Sequence, residues 1–198
     1  LVIPCYNEEK NIEPFMKCCI ETFGNNKNIE YIFINDGSKD NTFLEIKKII
    51  EKYKNENILG ISFSRNFGKE AAMLAGLKKS KGEFTALIDA DLQQHPKYVK
   101  QMLEYIEGHD EYDCVTCYQE KRKEGKLLIW LKERFYSLIN KISDVEFYKN
   151  ASDFRLFNRK VLNSILDMEE YYRFSKGLFS YIGYNTYYMS YEVNERKY

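Results

Sequence analysis

Four short apolar runs recur along the first 90 residues, and a segment with helical spacing of apolar residues separates each run from the next. The runs are 1–4, 29–34, 58–63 and 84–88, and the helix-like segments lie near residues 8–22, 40–53 and 69–80. Almost wholly apolar strands that alternate with amphipathic helices are typical of a parallel sheet covered on both faces. The sequence therefore predicts an α/β fold with a doubly wound, mostly parallel sheet and right-handed crossovers.

A polar cluster follows each predicted strand, at residues 5–8, 35–38, 64–66 and 89–91. The carboxyl ends of parallel strands meet at one edge of a sheet, and open α/β sheets bind ligands at that edge. We therefore expect the four clusters to line a single crevice.

The most informative of these clusters contains Asp89 and Asp91. Two carboxylates at positions i and i+2 directly after a strand project to the same side and can converge on one cation. Mg²⁺ or Mn²⁺ is commonly held by one or two protein carboxylates, and substrate phosphates complete its coordination. The Asp-x-Asp pattern is also common in solvated turns, so the metal hypothesis depends on what surrounds it.

The second and third clusters supply complementary chemistry. Asp36 can accept a hydrogen bond from a base or a ribose, and Gly37 permits an unusual backbone angle. Arg65 and Lys69 carry fixed positive charge beside Gly68, which allows close approach of a phosphate. Taken singly, these segments read as a turn with a helix cap and as a solvated loop. Together they predict groups for a base, a phosphate and a metal in one crevice.

Composition and absent motifs exclude several classes of protein. Thirty basic residues balance thirty acidic ones, which argues against bulk nucleic-acid binding. There is no G-x-x-x-x-G-K-[ST] run and no G-x-G-x-x-G after the first strand, so a P-loop hydrolase and a dinucleotide oxidoreductase are unsupported. Five cysteines form an odd set that favours a reducing compartment. Cys114 and Cys117 fall in a predicted strand, where we interpret them as buried thiols.

The second part of the chain changes in character. A helix is predicted from Pro96, followed by a strand at 112–118, a loop at 121–125 and a basic amphipathic helix at 126–142. Such a helix either packs on the sheet or contacts a membrane surface, and both interpretations stay open. No apolar run approaches the ~20 residues that are needed to span a bilayer.

The motifs taken together resemble family 2 glycosyltransferases, in order and in spacing. They are residues 4–9, 35–38, 64–69 and 89–93. Residues 134–140, 152–156 and 173–177 further resemble the branch that transfers sugars to polyprenyl phosphates. The resemblance covers nearly the whole chain. It implies a Rossmann-like fold of the nucleotide-diphospho-sugar transferase type, with residues 1–118 binding the nucleotide sugar and residues 119–198 forming an acceptor-side extension.

The resemblance also implies roles for individual residues toward a UDP- or GDP-hexose. The base would lie near Pro4, Tyr6, Glu8 and Asp36, and the diphosphate near Arg65 and Lys69. The same site would include Asn7, Gly37, Gly68, Asp89 and Ala90. The implied Mg²⁺ or Mn²⁺ would bind Asp91, assisted by Asp89 and Gln93. The family inverts the anomeric centre by in-line attack, and the metal stabilises the leaving diphosphate.

On the acceptor side, the resemblance implies a polyprenyl phosphate at the cytoplasmic face of the membrane, in cell-wall or other glycan biosynthesis. A phosphate is already anionic, so cationic groups that position it matter more than a strong general base. The candidates are Arg122, Arg134, Arg155 and Arg173, with Asp153 as a base or as a group that orients them. Membrane helices are expected beyond the basic segment 195–198.

Three other functions remain open. The first is a family 2 transferase that acts on a hydroxyl of a polysaccharide or protein, with Asp153 as an obligatory base. The second is a sugar nucleotidyltransferase, which also uses a doubly wound sheet and metal-binding aspartates. The third is a binding module without catalysis. The sequence leaves open the sugar, the base and the oligomeric state.

Overall fold

The computed structural model describes residues 1–24, 26–119, 134, 151–168 and 175–194. The strands are β1 Val2–Cys5, β2 Glu30–Asn35, β3 Asn57–Ser62, β4 Phe84–Leu87, β5 Cys114–Gln119, β6 Ala151–Asn158 and β7 Thr186–Tyr191. The helices are α1 Ile12–Phe23, α2 Thr42–Lys52, α3 Lys69–Lys79, α4 Lys97–Glu107, α5 Arg159–Leu166 and α6 Ser175–Tyr181.

The described strands form one sheet in the order β3-β2-β1-β4-β6-β5-β7. Strands β1 to β4 run parallel to one another, and β5 is parallel to β7. Strand β6 is antiparallel to both of its neighbours, β4 and β5. The predicted mostly parallel α/β sheet is confirmed, with one reversed strand near its middle.

Helices cover both faces of the sheet, because successive strand residues point to opposite sides. In β1, Ile3 packs into an apolar cluster with α1, α2 and α4, whereas Val2 packs into a second cluster with α3, α5 and α6. A Cβ atom on Gly76 would lie 2.4 Å from Cγ1 of Val2, so this glycine lets α3 lie close against β1. The close packing brings the start of α3 to the carboxyl end of the sheet.

Helix α1 begins at Ile12 rather than near residue 8, because residues 6–11 form the loop that leaves β1. The predicted loop 121–125 and basic helix 126–142 lie outside the described residues, except for the exposed Arg134. Arg122 and Arg173 also lie outside them. Across the described part of the chain, no helix combines the length and the apolar character needed to cross a bilayer.

Cys114 and Cys117 are buried on opposite faces of β5, so their interpretation as buried thiols is confirmed. Burial raises the pKa of the Cys117 thiol to about 12, and burial also raises the pKa of Cys114. Both thiols are therefore neutral at physiological pH.

Candidate functional site

A cleft of about 310 Å³ opens at the carboxyl ends of the strands, beside the first turn of α3. All four predicted polar clusters contribute to it, as the crevice hypothesis requires. The lining residues are Pro4, Cys5, Tyr6, Glu8, Asp36, Asn66, Gly68, Lys69, Ala72, Asp89, Ala90 and Asp91. The sequence thus correctly predicted a single crevice at this edge.

Four predicted residues lie next to this lining without being part of it: Asn7, Gly37, Arg65 and Gln93. Asn7 braces the loop after β1, since its N–H donates to Ser38 Oγ at 2.9 Å and its Oδ1 accepts the N–H of Lys39 at 2.9 Å. Conversely, Ala72 lines the cleft and was not predicted. Its position three residues after Lys69 on one helix face was the available signal.

Asp36 joins the loops that follow β2 and β3. Its side chain is only 3% exposed, and its two carboxylate oxygens accept the N–H groups of Phe67 at 2.7 Å and Gly68 at 2.9 Å. Gly37 has φ +61°, and a Cβ there would lie 2.1 Å from the Arg65 carbonyl carbon. The Asp36–Gly37 pair therefore holds the loop that follows β3 directly against the end of β2.

Arg65 projects from this loop with its charge exposed to solvent. Its guanidinium carbon lies 4.2 Å from the centre of the Phe67 ring, and Phe67 is 51% exposed. A planar cation held against an aromatic face loses less freedom when it binds an anion. The pair forms a preorganised cationic group beside the cleft.

Lys69 supplies the positive charge inside the cleft. Its Nζ lies 2.6 Å from Asp89 Oδ1 and 3.7 Å from Asp153 Oδ2, and so bridges the end of β4 and the start of β6. Burial lowers the pKa of Lys69, but the charges of Asp89 and Asp153 outweigh burial and hold that pKa above its ordinary value. The ammonium is thus fully protonated at neutral pH.

Asp89 is held from two sides. Besides Lys69 on Oδ1, Gln94 Nε2 donates to Oδ2 at 3.2 Å, and Gln94 Oε1 accepts the Asp89 N–H at 3.0 Å. Gln94 is 8% exposed. Sequence reasoning did not select Gln94, because a glutamine in a loop gives no signal until its partner is known. The orientation of the Asp89 carboxylate is therefore set by neighbouring side chains.

Asp91 occupies a tight turn at the rim of the cleft. Its Oδ1 accepts the N–H of Gln93 at 3.0 Å, and the intervening Leu92 has φ 60°. Among the described residues, no group of three or more His, Cys, Asp or Glu could hold a metal ion by itself. Carboxylate oxygens beside an open cleft nevertheless fit Mg²⁺ or Mn²⁺, since these ions bind few protein carboxylates and complete their shell with phosphate oxygens.

Arg155 is only 4% exposed, whereas Arg134 is exposed to solvent. Its guanidinium lies over the Phe179 ring at 4.0 Å, and Nη2 donates to the Ser152 carbonyl at 2.9 Å. Burial lowers the pKa of Arg155, although nearby Cys114 and Asp153 oppose that shift. Arg155 is thus packed behind Asp153 on β6.

Comparison with known proteins gives matches over nearly the whole chain. The model of Glycosyl transferase family 2 matches residues 1–166. The chain is 40% identical over 202 residues to CsbB of Bacillus subtilis (strain 168), a glycosyltransferase by name, covering 100% of this chain and 59% of CsbB. It is 37% identical over 199 residues to the prophage bactoprenol glucosyl transferase homolog of Escherichia coli (strain K12), covering 99% of this chain and 63% of the relative.

Solved structures share the fold at lower identity. The mannosyltransferase PcManGT from Pyrobaculum calidifontis, in complex with GDP-Man and Mn²⁺, superposes with a TM-score of 0.66 and 17% identity over 99% of this chain and 57% of that one. S. aureus TarS 1-349 in complex with UDP superposes with a TM-score of 0.65 and 20% identity over 97% of this chain and 57% of that one. At these identities the likeness shows the fold alone.

The chain spans 59% to 63% of the length of the two sequence relatives described above. Within that span, the family model covers residues 1–166, and both identities exceed one third across essentially all of this chain. The chain therefore belongs to glycosyl transferase family 2.

Proposed function

We propose that this chain is the catalytic part of an inverting glycosyltransferase that moves a hexose from a UDP- or GDP-sugar to a polyprenyl phosphate at the cytoplasmic face of a membrane. The observation that carries the proposal is the cleft in which Asp36, Lys69 and the pair Asp89 and Asp91 meet from three separate strand ends. That combination suits a nucleoside diphosphate better than any smaller ligand, because it offers a fixed cation beside carboxylates that suit a metal.

The sugar donor would lie across the cleft. Exposed Tyr6, with Pro4 and Glu8, forms the end that would take the base, near Asp36. Lys69 and Arg65 would bind the diphosphate oxygens and offset the charge that develops as the glycosidic bond to the diphosphate breaks. Ala90 and Gly68 leave room for the phosphates to approach the backbone.

The residues that would hold the divalent cation are Asp91, with Asp89 and Gln93 nearby. When bound, Mg²⁺ or Mn²⁺ neutralises part of the charge on the leaving diphosphate. Lys69 Nζ contacts Asp89 Oδ1 at 2.6 Å, so the aspartate is oriented before the sugar donor binds.

The acceptor would approach from the side of β6. Its oxygen attacks the anomeric carbon from the face opposite the diphosphate, the new glycosidic bond forms as the old one breaks, and the configuration inverts. A phosphate oxygen needs no proton removed, so we assign Asp153 and Arg155 to positioning. Arg122, Arg134 and Arg173 are our further candidates for binding the acceptor phosphate. The name of the E. coli relative, a bactoprenol glucosyl transferase homolog, supports the lipid phosphate acceptor.

A second acceptor class is favoured by one observation. The Asp153 carboxylate lies 3.7 Å from Nζ of Lys69, which lines the cleft, and a hydroxyl of a polysaccharide or protein would need a general base there. In that case Asp153 would take the proton of the attacking hydroxyl.

Two measurements test the proposal. Calorimetric titration of UDP and of GDP, each with and without Mn²⁺, should show metal-dependent binding of one nucleotide. Transfer from the matching nucleotide hexose should then be compared between a short polyprenyl phosphate and the corresponding polyprenol. Activity on the phosphate alone supports the proposal, and activity on the alcohol supports the second acceptor class. Pyrophosphate release from a sugar phosphate plus a nucleoside triphosphate would instead indicate a nucleotidyltransferase.

A further inference from the structure

The turn that carries Asp91 has a backbone geometry that needs outside support. Leu92, between Asp91 and Gln93, has φ 60°, a left-handed conformation that crowds the Cβ of any residue other than glycine. Such conformations persist where the surrounding structure holds them, and they cluster at functional sites. The contact between Asp91 Oδ1 and the Gln93 N–H lies inside the turn and moves with it.

Support comes from a residue 102 positions away in the sequence. The side-chain amide of Asn194 donates from Nδ2 to the Leu92 carbonyl at 3.1 Å, and the backbone N–H of Asn194 donates to the Gln93 carbonyl at 3.1 Å. One residue therefore binds two consecutive carbonyl groups of the turn. Nothing in the local sequence around Asn194 signals this role.

The segment that carries Asn194 is itself anchored to the core. The Glu192 N–H donates to the Tyr98 hydroxyl at 3.1 Å, and the Tyr98 ring packs edge-on against Tyr191 with centroids 5.7 Å apart. Both tyrosines are buried. Asn194 thus connects the turn at the cleft to the buried contact between β7 and α4.

We propose that Asn194 is a positioning residue that holds the Leu92 turn in the conformation in which Asp91 binds the divalent cation. The part of this inference that concerns the metal rests on the proposed function. The part that says Asn194 holds the turn rests only on its two hydrogen bonds. A carboxylate in place of the amide cannot donate to the Leu92 carbonyl, so Asn194→Asp breaks the side-chain contact at nearly unchanged size.

The first test measures Mn²⁺-dependent binding of UDP or GDP to the 198-residue chain. In Asn194→Ala and Asn194→Asp, we expect the nucleotide affinity in the presence of Mn²⁺ to fall about fivefold, the effect of losing one ordinary hydrogen bond. Affinity without Mn²⁺ should stay unchanged. Asn194→Asp is the sharper variant, because an added negative charge near a cation site would by itself strengthen Mn²⁺ binding. Val193→Ala, at the exposed neighbouring position, is the matched control.

The second test needs neither metal nor nucleotide. Amide hydrogen exchange of a peptide that contains Gln93 should be faster in both Asn194 variants than in the wild type, and unchanged in Val193→Ala, because the Gln93 N–H loses its partner when the turn opens. Unchanged exchange in Asn194→Ala would show that Asn194 does not hold the Leu92 turn. Faster exchange with unaltered Mn²⁺-dependent affinity would overturn the positioning role. If the wild type shows no Mn²⁺-dependent nucleotide binding, the proposed function fails. The exchange result still decides whether Asn194 holds the Leu92 turn.

Discussion

The two halves of the sheet are built by different rules. Strands β1 to β4 are all parallel, and each is joined to the next by a helix, so that their polar ends meet at one edge. In the other half, β6 is reversed and lies between β4 and β5, although β5 precedes it in the sequence. In the first half, a repeated strand–helix unit brings the functional residues to one edge. In the second half, they depend on the insertion of β6 between two strands that precede it in the sequence.

This difference assigns separate tasks to the two halves. The parallel half supplies all twelve of the lining residues of the cleft. The mixed half supplies Asp153, which contacts Lys69, and the buried Arg155 behind it. Loss of buried apolar side chains in β6 should therefore act through the stability of the whole sheet, and loss of charged side chains at the parallel strand ends should act on ligand binding.

The largest effect is expected for Phe157→Ala in β6. Phe157 is fully buried and its ring lies 4.9 Å from that of Phe179, so the substitution leaves a cavity in the core. We expect the free energy of unfolding to fall by about 3–5 kcal/mol, as for other buried phenylalanines. Urea denaturation measures this change. Tyr181→Ala, at a mostly exposed position in α6, is the control and should change little.

A comparison of two glycines tests how tightly the loops of the parallel half are joined. Gly37 and Gly24 both have positive φ, but a Cβ on Gly37 meets the Arg65 backbone, whereas a Cβ on Gly24 meets nothing. Gly24→Ala should cost about 1–2 kcal/mol from its backbone angle alone. Gly37→Ala should cost about 3 kcal/mol in total, because the clash adds to that strain. Equal losses in thermal or urea unfolding would show that the loops are not held together here.

Asp91→Asn tests the metal assignment at the end of β4. Asparagine retains the Oδ1 acceptor for the Gln93 N–H, so the turn is preserved while the carboxylate charge is lost. We expect Mn²⁺-dependent nucleotide affinity to fall by about 100-fold or more, since even outer-shell changes at metal sites cost 10–100-fold. Calorimetry with and without Mn²⁺ measures the loss. Asp110→Asn, in an exposed turn after α4, should bind as the wild type does.

Lys69→Met tests the contact between the two halves. Removal of the ammonium should lower the affinity for the nucleoside diphosphate about tenfold, the effect of one lost charged hydrogen bond. Lys78→Met, on an exposed turn of the same helix, should have no such effect.

The same lysine predicts a pH profile. The pKa of Lys69 is raised, so its charge is complete below the ordinary lysine range and is lost only as the pH rises through the higher folded value. Its contribution to nucleotide binding should therefore be constant between about pH 6 and 9. A decline within that range that is absent from Lys69→Met would contradict the assignment.

Much of the parallel half could be predicted from the sequence, because its strands and helices follow from local apolar periodicity. Residues 5–8, 35–38, 64–66 and 89–91 each ended a recognisable strand, and topology then brought them together. Strand β6 could not be placed in this way. Residues 152–156 were identified by resemblance, but their direction and their neighbours depend on contacts with strands far away in the sequence.

The supporting contacts within the site were also beyond sequence reasoning. Gln94 and Asn194 act through hydrogen bonds to Asp89 and to the Leu92 turn, and an amide side chain shows no preference for a partner until the fold is known. The expectation that Asp36 accepts a hydrogen bond from a base or a ribose remains a prediction. The structure adds that both carboxylate oxygens of Asp36 accept backbone N–H groups.

The position of β6 has a consequence for synthesis of the chain on the ribosome. Translation completes β1 to β5 before residues 151–158 exist, so until then the outer edge of β4 displays unpaired amide and carbonyl groups. An open edge of this kind invites pairing with other nascent chains. The sheet can close only when the late strand inserts between two earlier ones, so a ribosome stalled shortly after residue 119 would hold an aggregation-prone intermediate rather than a finished sheet.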